Sequence, residues 1–237
     1  MIRRKKTYAL ALSGGAALGA YQAGALKAIY EAGLNIRYIA GSSVGALNGY
    51  LAATGEIKEL VEFWQGIDQK KLITMNSFTK LFFSAIPSLL TDEIQRELVT
   101  KYARVEKLKD TGREFVCTAI NINTGKLHFF EGHNAASDEE LQLMILASAA
   151  VPGVFPPVEM NKHLYMDGGL VRNTPIEAFY RKNVHAVIGV SMEPETYPDT
   201  PLQNSGQIAL RTVSIFFRSQ ANDAVERTRL SRKRKAK

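Results

Sequence analysis

An apolar run, Tyr38-Ile39-Ala40, breaks at Gly41-Ser42-Ser43-Val44-Gly45 and passes at once into Ala46-Leu47-Asn48-Gly49-Tyr50-Leu51, a stretch of helical composition. A strand that becomes a helix within five residues must turn sharply, and glycines at both ends tolerate a strained turn and a close approach of neighbouring backbone. The central residue of such a G-x-S-x-G turn projects at the start of the helix. Ser43 is therefore the candidate nucleophile, because the unpaired N–H groups and the positive dipole end there favour a developing negative charge. The same five letters also suit a small-residue turn without chemistry, so the assignment depends on its surroundings.

What precedes the turn has the same form. Thr7 to Leu12 reads as a buried strand, Ser13-Gly14-Gly15-Ala16-Ala17-Leu18-Gly19 as a flexible loop, and Ala20 to Ala32 as a helix ended by Gly33. Two strand-loop-helix units in succession imply parallel strands with helices packed outside, so an α/β fold with a mostly parallel central sheet and helices on both faces is expected. Both loops then lie at the carboxyl ends of neighbouring strands, where open α/β sheets place their ligands. The Gly14–Gly19 loop lacks the Lys-Ser/Thr ending of a P-loop and departs from the G-x-G-x-x-G spacing, which argues against a nucleotide. Its better use is an oxyanion hole of backbone N–H groups, each well-placed donor contributing roughly 3–4 kcal/mol to a transition state.

Further along, helices are expected at Glu56–Trp64, Asp92–Tyr102 and Leu141–Ala150, a hairpin at 115–130 around Asn123-Thr124-Gly125, and short strands at Val158–Met160 and His163–Met166. The apolar stretch Ser77–Leu90 reads as a core helix or as a lid. Val151-Pro152-Gly153-Val154-Phe155-Pro156-Pro157 forms a rigid crossing, Asn183–Met192 is a buried strand, and 205–234 is helical. No linker or repeat divides the 237 residues, so one domain over 1–237 is expected.

The net charge of +7 belongs to the ends. Arg3, Arg4, Lys5 and Lys6 with the seven basic residues of 227–237 make eleven of thirty positives, and the remaining nineteen face 23 acidic residues. A mildly acidic body with basic tails is not a nucleic-acid-binding face, and no nucleic acid is expected; the basic end suits peripheral contact with anionic lipid. The single Cys117 excludes an internal disulfide. Arg3–Lys6 followed by Tyr8–Leu12 imitates a secretory signal, but five apolar residues are too few for its core, and no run is long enough to span a membrane. A cytoplasmic or membrane-peripheral protein is the corresponding expectation.

A serine hydroxyl needs a base. The four histidines, His128, His133, His163 and His185, show no metal-ligand spacing, so no metal is expected. A Ser43–Asp167–His185 triad has the α/β-hydrolase order, yet His185 opens a strand-like run where a loop is needed. Asp167, in Asp167-Gly168-Gly169 after a strand, is the alternative: buried among apolar groups, its carboxylate pKa would rise from about 3.9 towards neutrality and let it take the Ser43 proton directly. A plain tight turn is the competing use of Asp-Gly-Gly.

Together these residues resemble the patatin-like phospholipases, serine acyl hydrolases with a Ser–Asp dyad. The resemblance runs from Thr7 to about Pro175, through Ser13-Gly14-Gly15 with Gly19-Ala20-Tyr21-Gln22-Ala23-Gly24, Gly41-Ser42-Ser43-Val44-Gly45, Ala147-Ser148-Ala149-Ala150-Val151-Pro152 with Phe155-Pro156-Pro157, and Asp167-Gly168-Gly169 followed by Asn173 and Pro175. It implies nucleophile Ser43, base Asp167, an oxyanion hole from the backbone of Gly14, Gly15 and Ala16, and an α/β/α sandwich. Gly19, Gly41, Gly45, Gly168 and Gly169 support these positions. It also implies acyl transfer without metal or other cofactor, and phospholipids or other acyl-ester lipids as substrates. Where the family's oxyanion loop has a third glycine and a basic residue, this chain has Ala16 and Leu18. That departure leaves open a catalytically weakened lipid-binding protein, and an acyltransferase on the same site is the third reading.

Overall fold

The computed structural model describes residues 6–15, 18–66, 93–152 and 155–235. The Ser77–Leu90 stretch, Ala16 and part of the proline-rich crossing lie outside them.

The expected opening forms as strand β1 (Tyr8–Leu12), helix α1 (Gly19–Glu31), strand β2 (Ile36–Gly41) and helix α2 (Val44–Thr54). Helix α3 (Ile57–Gly66), α4 (Glu93–Tyr102) and α5 (Val105–Thr111) follow, then the antiparallel hairpin β3 (Glu114–Asn121) and β4 (Lys126–Glu131). Helix α6 (Asp138–Ala149), strands β5 (Val158–Met160), β6 (His163–Asp167) and β7 (Ala186–Val190), and the long helix α7 (Ser205–Lys235) complete the chain. Helix α5 was not expected from the sequence. Its seven residues make barely two turns, and it depends on burying Val105 and Leu108 and on Gly112 closing it at φ +61°.

One sheet of seven strands runs in the order β5-β6-β3-β2-β1-β7, with β4 on the remaining edge of β3. β7, β1, β2 and the first half of β3 are mutually parallel, and β4, β5 and β6 supply the antiparallel pairs. The register levels the ends of three parallel strands, because Leu12 is opposite both Gly41 and Val190. Three loops therefore leave the sheet together.

β1 is buried on both faces, and its period of two sorts the side chains. Leu10 and Leu12, with Ile39, Phe115 and Cys117, face the larger core under α2 and α6, with α1 and α3 outside. Ala9 and Ala11, with Ala40 and Val116, face Ile176 and Phe179 of a short 3-10 turn, Ile176–Phe179, against which α7 packs. Alanines on that face leave room for a turn to lie close to the sheet. The architecture is thus α/β, with helices flanking a mostly parallel sheet. Among the described residues no helix is long and apolar enough to cross a membrane.

Candidate active site

Ser43 caps α2 and adopts φ 56° and ψ −131°, outside the region natural for a residue with a β-carbon. Such strain costs on the order of 1–3 kcal/mol and persists only where neighbours impose it. Here the neighbours are hydrogen-bond acceptors: Ser42 N–H donates to Leu12 O at 3.2 Å, Ser43 N–H to Ser148 O at 3.0 Å and Ser148 Oγ at 3.2 Å, and Gly45 N–H to Ser42 O at 2.8 Å. The Ser42 side chain pairs with Thr118 Oγ1 at 2.5 Å and donates to Arg172 O at 2.7 Å. The flanking glycines provide clearance. A β-carbon on Gly41 would lie 2.1 Å from Gly45 O, and one on Gly45 would lie 2.5 Å from Leu12 O. Neither glycine has a positive φ, so the strained conformation of this turn belongs to the serine itself.

Asp167 ends β6, where its N–H donates to Ala150 O at 2.9 Å and its Oδ1 accepts from Gly169 N–H at 2.7 Å. Burial in the sheet pushes its carboxyl up to about 7, while the Ser43 hydroxyl and the Gly169 N–H, as hydrogen-bond donors, pull the other way. The Ser43 hydroxyl and the Asp167 carboxyl therefore face each other, and the carboxyl is poised to change protonation near neutral pH.

The sheet explains how residues so far apart in the chain meet. β4 fills one edge of β3, so β2 and β6 share the other, β2 ending with Gly41 opposite Cys117 and β6 ending with Asp167 opposite Ala119. The last turn of α6 spans the junction: the carbonyls of Ser148 and Ala150, which a helix end leaves without intrahelical donors, accept the N–H groups of Ser43 and Asp167. This gives the Ala147-Ser148-Ala149-Ala150 block a physical use that its composition alone does not reveal.

The loop after β1 is held from several sides. Ser13 N–H donates to Val190 O at 3.1 Å, and its Oγ accepts from Met192 N–H at 3.0 Å. Beneath it lies a chain of polar side chains: the half-buried Trp64 Nε1 donates to Asn48 Oδ1 at 3.0 Å, buried Asn48 Nδ2 to Gln22 Oε1 at 3.0 Å and to Gly19 O at 3.1 Å, and buried Gln22 Nε2 to Ser13 O at 3.2 Å. Gly14 faces Ser43, since a β-carbon there would lie 2.8 Å from Ser43 Cβ and 2.7 Å from Asn173 Oδ1. The Gly14 N–H, expected from the sequence to face a substrate oxygen, instead donates to Asn173 Oδ1 at 3.0 Å and to Asn173 O at 3.2 Å. No described residue accepts the Gly15 N–H. Ala16, the third expected donor, lies outside the described residues.

Gly19 packs under Trp64 and Val44, and Gly168 lies against Thr118. The histidines are elsewhere. His185 precedes β7 and stacks edge-on with Tyr8, at the opposite end of the strands from Leu12 and Val190, while His128 packs with Phe130 and Tyr165. Among the described residues no three His, Cys, Asp or Glu side chains gather in metal-binding geometry. Sequence reasoning did not find the roles of Ser148, Thr118, Asn48 and Asn173; Ser148 and Asn173 sit inside recognised motif blocks, whereas nothing local marks Thr118 or Asn48.

Comparison with known proteins identifies the family. An uncharacterized NTE family protein of Mycobacterium tuberculosis is 27% identical over 229 residues, which cover 92% of this chain and 60% of that protein. The chain thus spans less than two thirds of that relative's length. A probable lipid hydrolase of invertebrate iridescent virus 6 is 27% identical, covering 71% of this chain and 61% of the viral protein. A lysophospholipase of Aspergillus terreus is also 27% identical, over 72% of this chain and 11% of its own length. The crystal structure of VipD from Legionella pneumophila superposes with a TM-score of 0.50 at 15% identity, covering 72% of this chain and 47% of VipD, a likeness of fold. The family model for patatin-like phospholipases matches residues 10–180, from β1 through the Ser43 turn and Asp167 to the 3-10 turn behind the sheet, and the chain belongs to that family.

Proposed function

We propose that this chain is a lipid acyl hydrolase in which Ser43 and Asp167 act as a two-residue catalytic unit. Ser43 Oγ attacks the ester carbonyl as its proton passes to the Asp167 carboxylate. The oxyanion is held by the Gly15 N–H and the N-terminus of α2, with Ala16 the further donor that the family resemblance implies. Asp167 returns the proton to the departing alcohol, then takes one from the water that attacks the acyl group on Ser43, and the fatty acid leaves.

The observation that carries this reading is the buried Asp167 carboxyl facing the Ser43 hydroxyl, with its pKa raised to about 7 by burial. A carboxylate of that basicity is a competent base at neutral pH without an intervening histidine. Lipid as substrate is supported by the family and by the names of the viral and fungal relatives, a lipid hydrolase and a lysophospholipase. It is also supported by exposed apolar side chains beside the site: Leu18 (53% exposed) and Tyr21 (65% exposed) follow the oxyanion loop, and Leu170 follows Asp167. The basic end of the chain adds contact with anionic lipid, and salt-sensitive binding to anionic vesicles left unchanged by removal of residues 227–237 would overturn that contact.

The test is fatty-acid release from phospholipid vesicles, and acid release from a short-chain activated ester, by wild type, Ser43→Ala and Asp167→Asn. Each variant should lose at least about ten-thousand-fold in kcat while keeping its fold. Turnover at the wild-type rate in either variant would sink the dyad. A folded wild type without turnover on any acyl ester would sink the hydrolase.

A further inference from the structure

The C-terminal helix α7 lies beyond the residues that match the family model, yet it reaches the site. Gln220 Oε1 accepts from Asn173 N–H at 3.0 Å, and Gln220 Nε2 donates to Leu170 O at 3.2 Å. One side-chain amide thus clips both ends of the 170–173 segment, as a neighbouring strand would. Asn173 repeats the arrangement one step further in. Its Oδ1 accepts from Gly14 N–H at 3.0 Å, and its Nδ2 faces Gly14 O at 3.4 Å. The two clips in series run from α7, through the loop that follows Asp167, to the loop expected to hold the oxyanion.

A second attachment fixes where α7 lies. Ser214 Oγ donates to Glu193 Oε2 at 2.5 Å and pairs with Tyr197 Oη at 2.8 Å, while the guanidinium groups of Arg211 and Arg218 lie over the Tyr197 ring at 4.8 and 5.6 Å from its centre. Glu193 follows Met192, whose N–H is held by Ser13 Oγ and whose side chain rests on Gly15. Both attachments of α7 therefore end on supports of residues 13–15, one on the Asn173 side and one on the Met192 side.

We infer that Gln220 is a positioning residue for acyl transfer, acting through Asn173 to hold the Gly14-Gly15 backbone in register with Ser43, so that docking of α7 sets the activity of the site. The inference rests on the hydrolase reading for its kinetic consequence and on the hydrogen bonds alone for its structural one. With the clip broken, the 170–173 segment loses its outer tether, Asn173 no longer aligns the Gly14 amide, and the Gly15 donor drifts from the position an oxyanion would occupy. Displacements of about 1 Å at such a donor cost up to about a hundredfold in rate.

The experiment is a double-mutant cycle with a second, turnover-free readout. Gln220→Leu removes both contacts at a half-buried helical position, Gln220→Glu keeps the oxygen that accepts from Asn173, and Asn173→Ala removes the inner clip; Asn173→Ser replaces it if the alanine variant does not accumulate folded. On a soluble short-chain ester, Gln220→Leu should lower kcat between about 10- and 100-fold with KM within about twofold, and Gln220→Glu should recover most of that loss. In the Asn173→Ala background, Gln220→Leu should cost nothing more, because residues acting through one another are not additive. Amide hydrogen exchange of the segment 8–15 should accelerate in Gln220→Leu. Additive losses, a change in KM alone, or unchanged exchange would overturn the inference. A wild type without serine-dependent turnover would overturn the hydrolase reading instead, and the exchange result would still decide whether Gln220 holds the loop.

Discussion

Gly41 and Asp167 end two strands that run towards each other along one edge of β3, Gly41 opposite Cys117 and Asp167 opposite Ala119, with Thr118 alone between them. A parallel strand that stops there must turn away from the sheet, and so must an antiparallel one arriving from the other direction. Both turns are crowded into the width of one residue. That crowding brings Ser43 to Asp167 and leaves no room for side chains on the backbone that forms the junction.

Crowding at Gly41 predicts a large cost for its smallest substitution. Gly41→Ala would force a β-carbon to 2.1 Å from Gly45 O, so destabilisation of at least about 3 kcal/mol in urea unfolding is expected, as for other overpacked cores. Gly24→Ala is the control of opposite sign. Gly24 lies in α1 with nothing within 4 Å of its added methyl, and alanine there should stabilise by about 0.5–1 kcal/mol.

The protonation of Asp167 predicts the pH dependence of hydrolysis. Acting as base, the carboxylate must be ionised, so kcat/KM for an uncharged ester should rise with pH through about 7 and level off above it. A profile already flat from pH 5 upward would remove Asp167 as the titrating base.

The same raised pKa predicts the pH dependence of stability, with the opposite sign. Because the folded state holds the proton more tightly than the unfolded chain, the contribution of Asp167 is fully present below about pH 4 and is lost as pH rises through about 7. Asp167→Asn, neutral at every pH, should match wild type near pH 4 and melt higher at pH 8. For a chain of this size each kcal/mol corresponds to roughly 2–4 °C. Equal melting temperatures at pH 8 would contradict the burial of an ionised carboxylate.

Asn48 joins Trp64 to Gln22 beneath the loop after β1. Asn48→Leu would leave Trp64 Nε1 and Gln22 Oε1 short of partners, a loss of about 2–4 kcal/mol at 1–3 kcal/mol for each unsatisfied group, partly relieved by water at the half-buried indole. Trp64 is the single tryptophan of the chain. Its fluorescence should therefore report the loosening directly, as a red shift absent from a variant at an exposed position such as Gly24→Ala.

Much of this protein is written locally. The Tyr8–Leu12 run, the helix-ending glycine at 33, the Asn123-Thr124-Gly125 hairpin and the Gly41–Gly45 turn each follow from a few neighbouring residues, because strand period, glycine permissiveness and turn chemistry act over short stretches. The same locality made Ser43 and Asp167 readable as candidates from the two turns that carry them. Tertiary structure alone decided what those candidates face. The Gly14 amide is taken by Asn173 across 159 residues of chain, Ser13 holds Met192 across 179, and Asp167 acquires its basicity from burial that no five-residue window contains. Gln220 reaches the site from a helix on which no local pattern marks a link to the turn at Ser43. Such contacts depend on strand order and on which edge of β3 each strand occupies, and a sheet's order is set by how all its elements bury their apolar faces together.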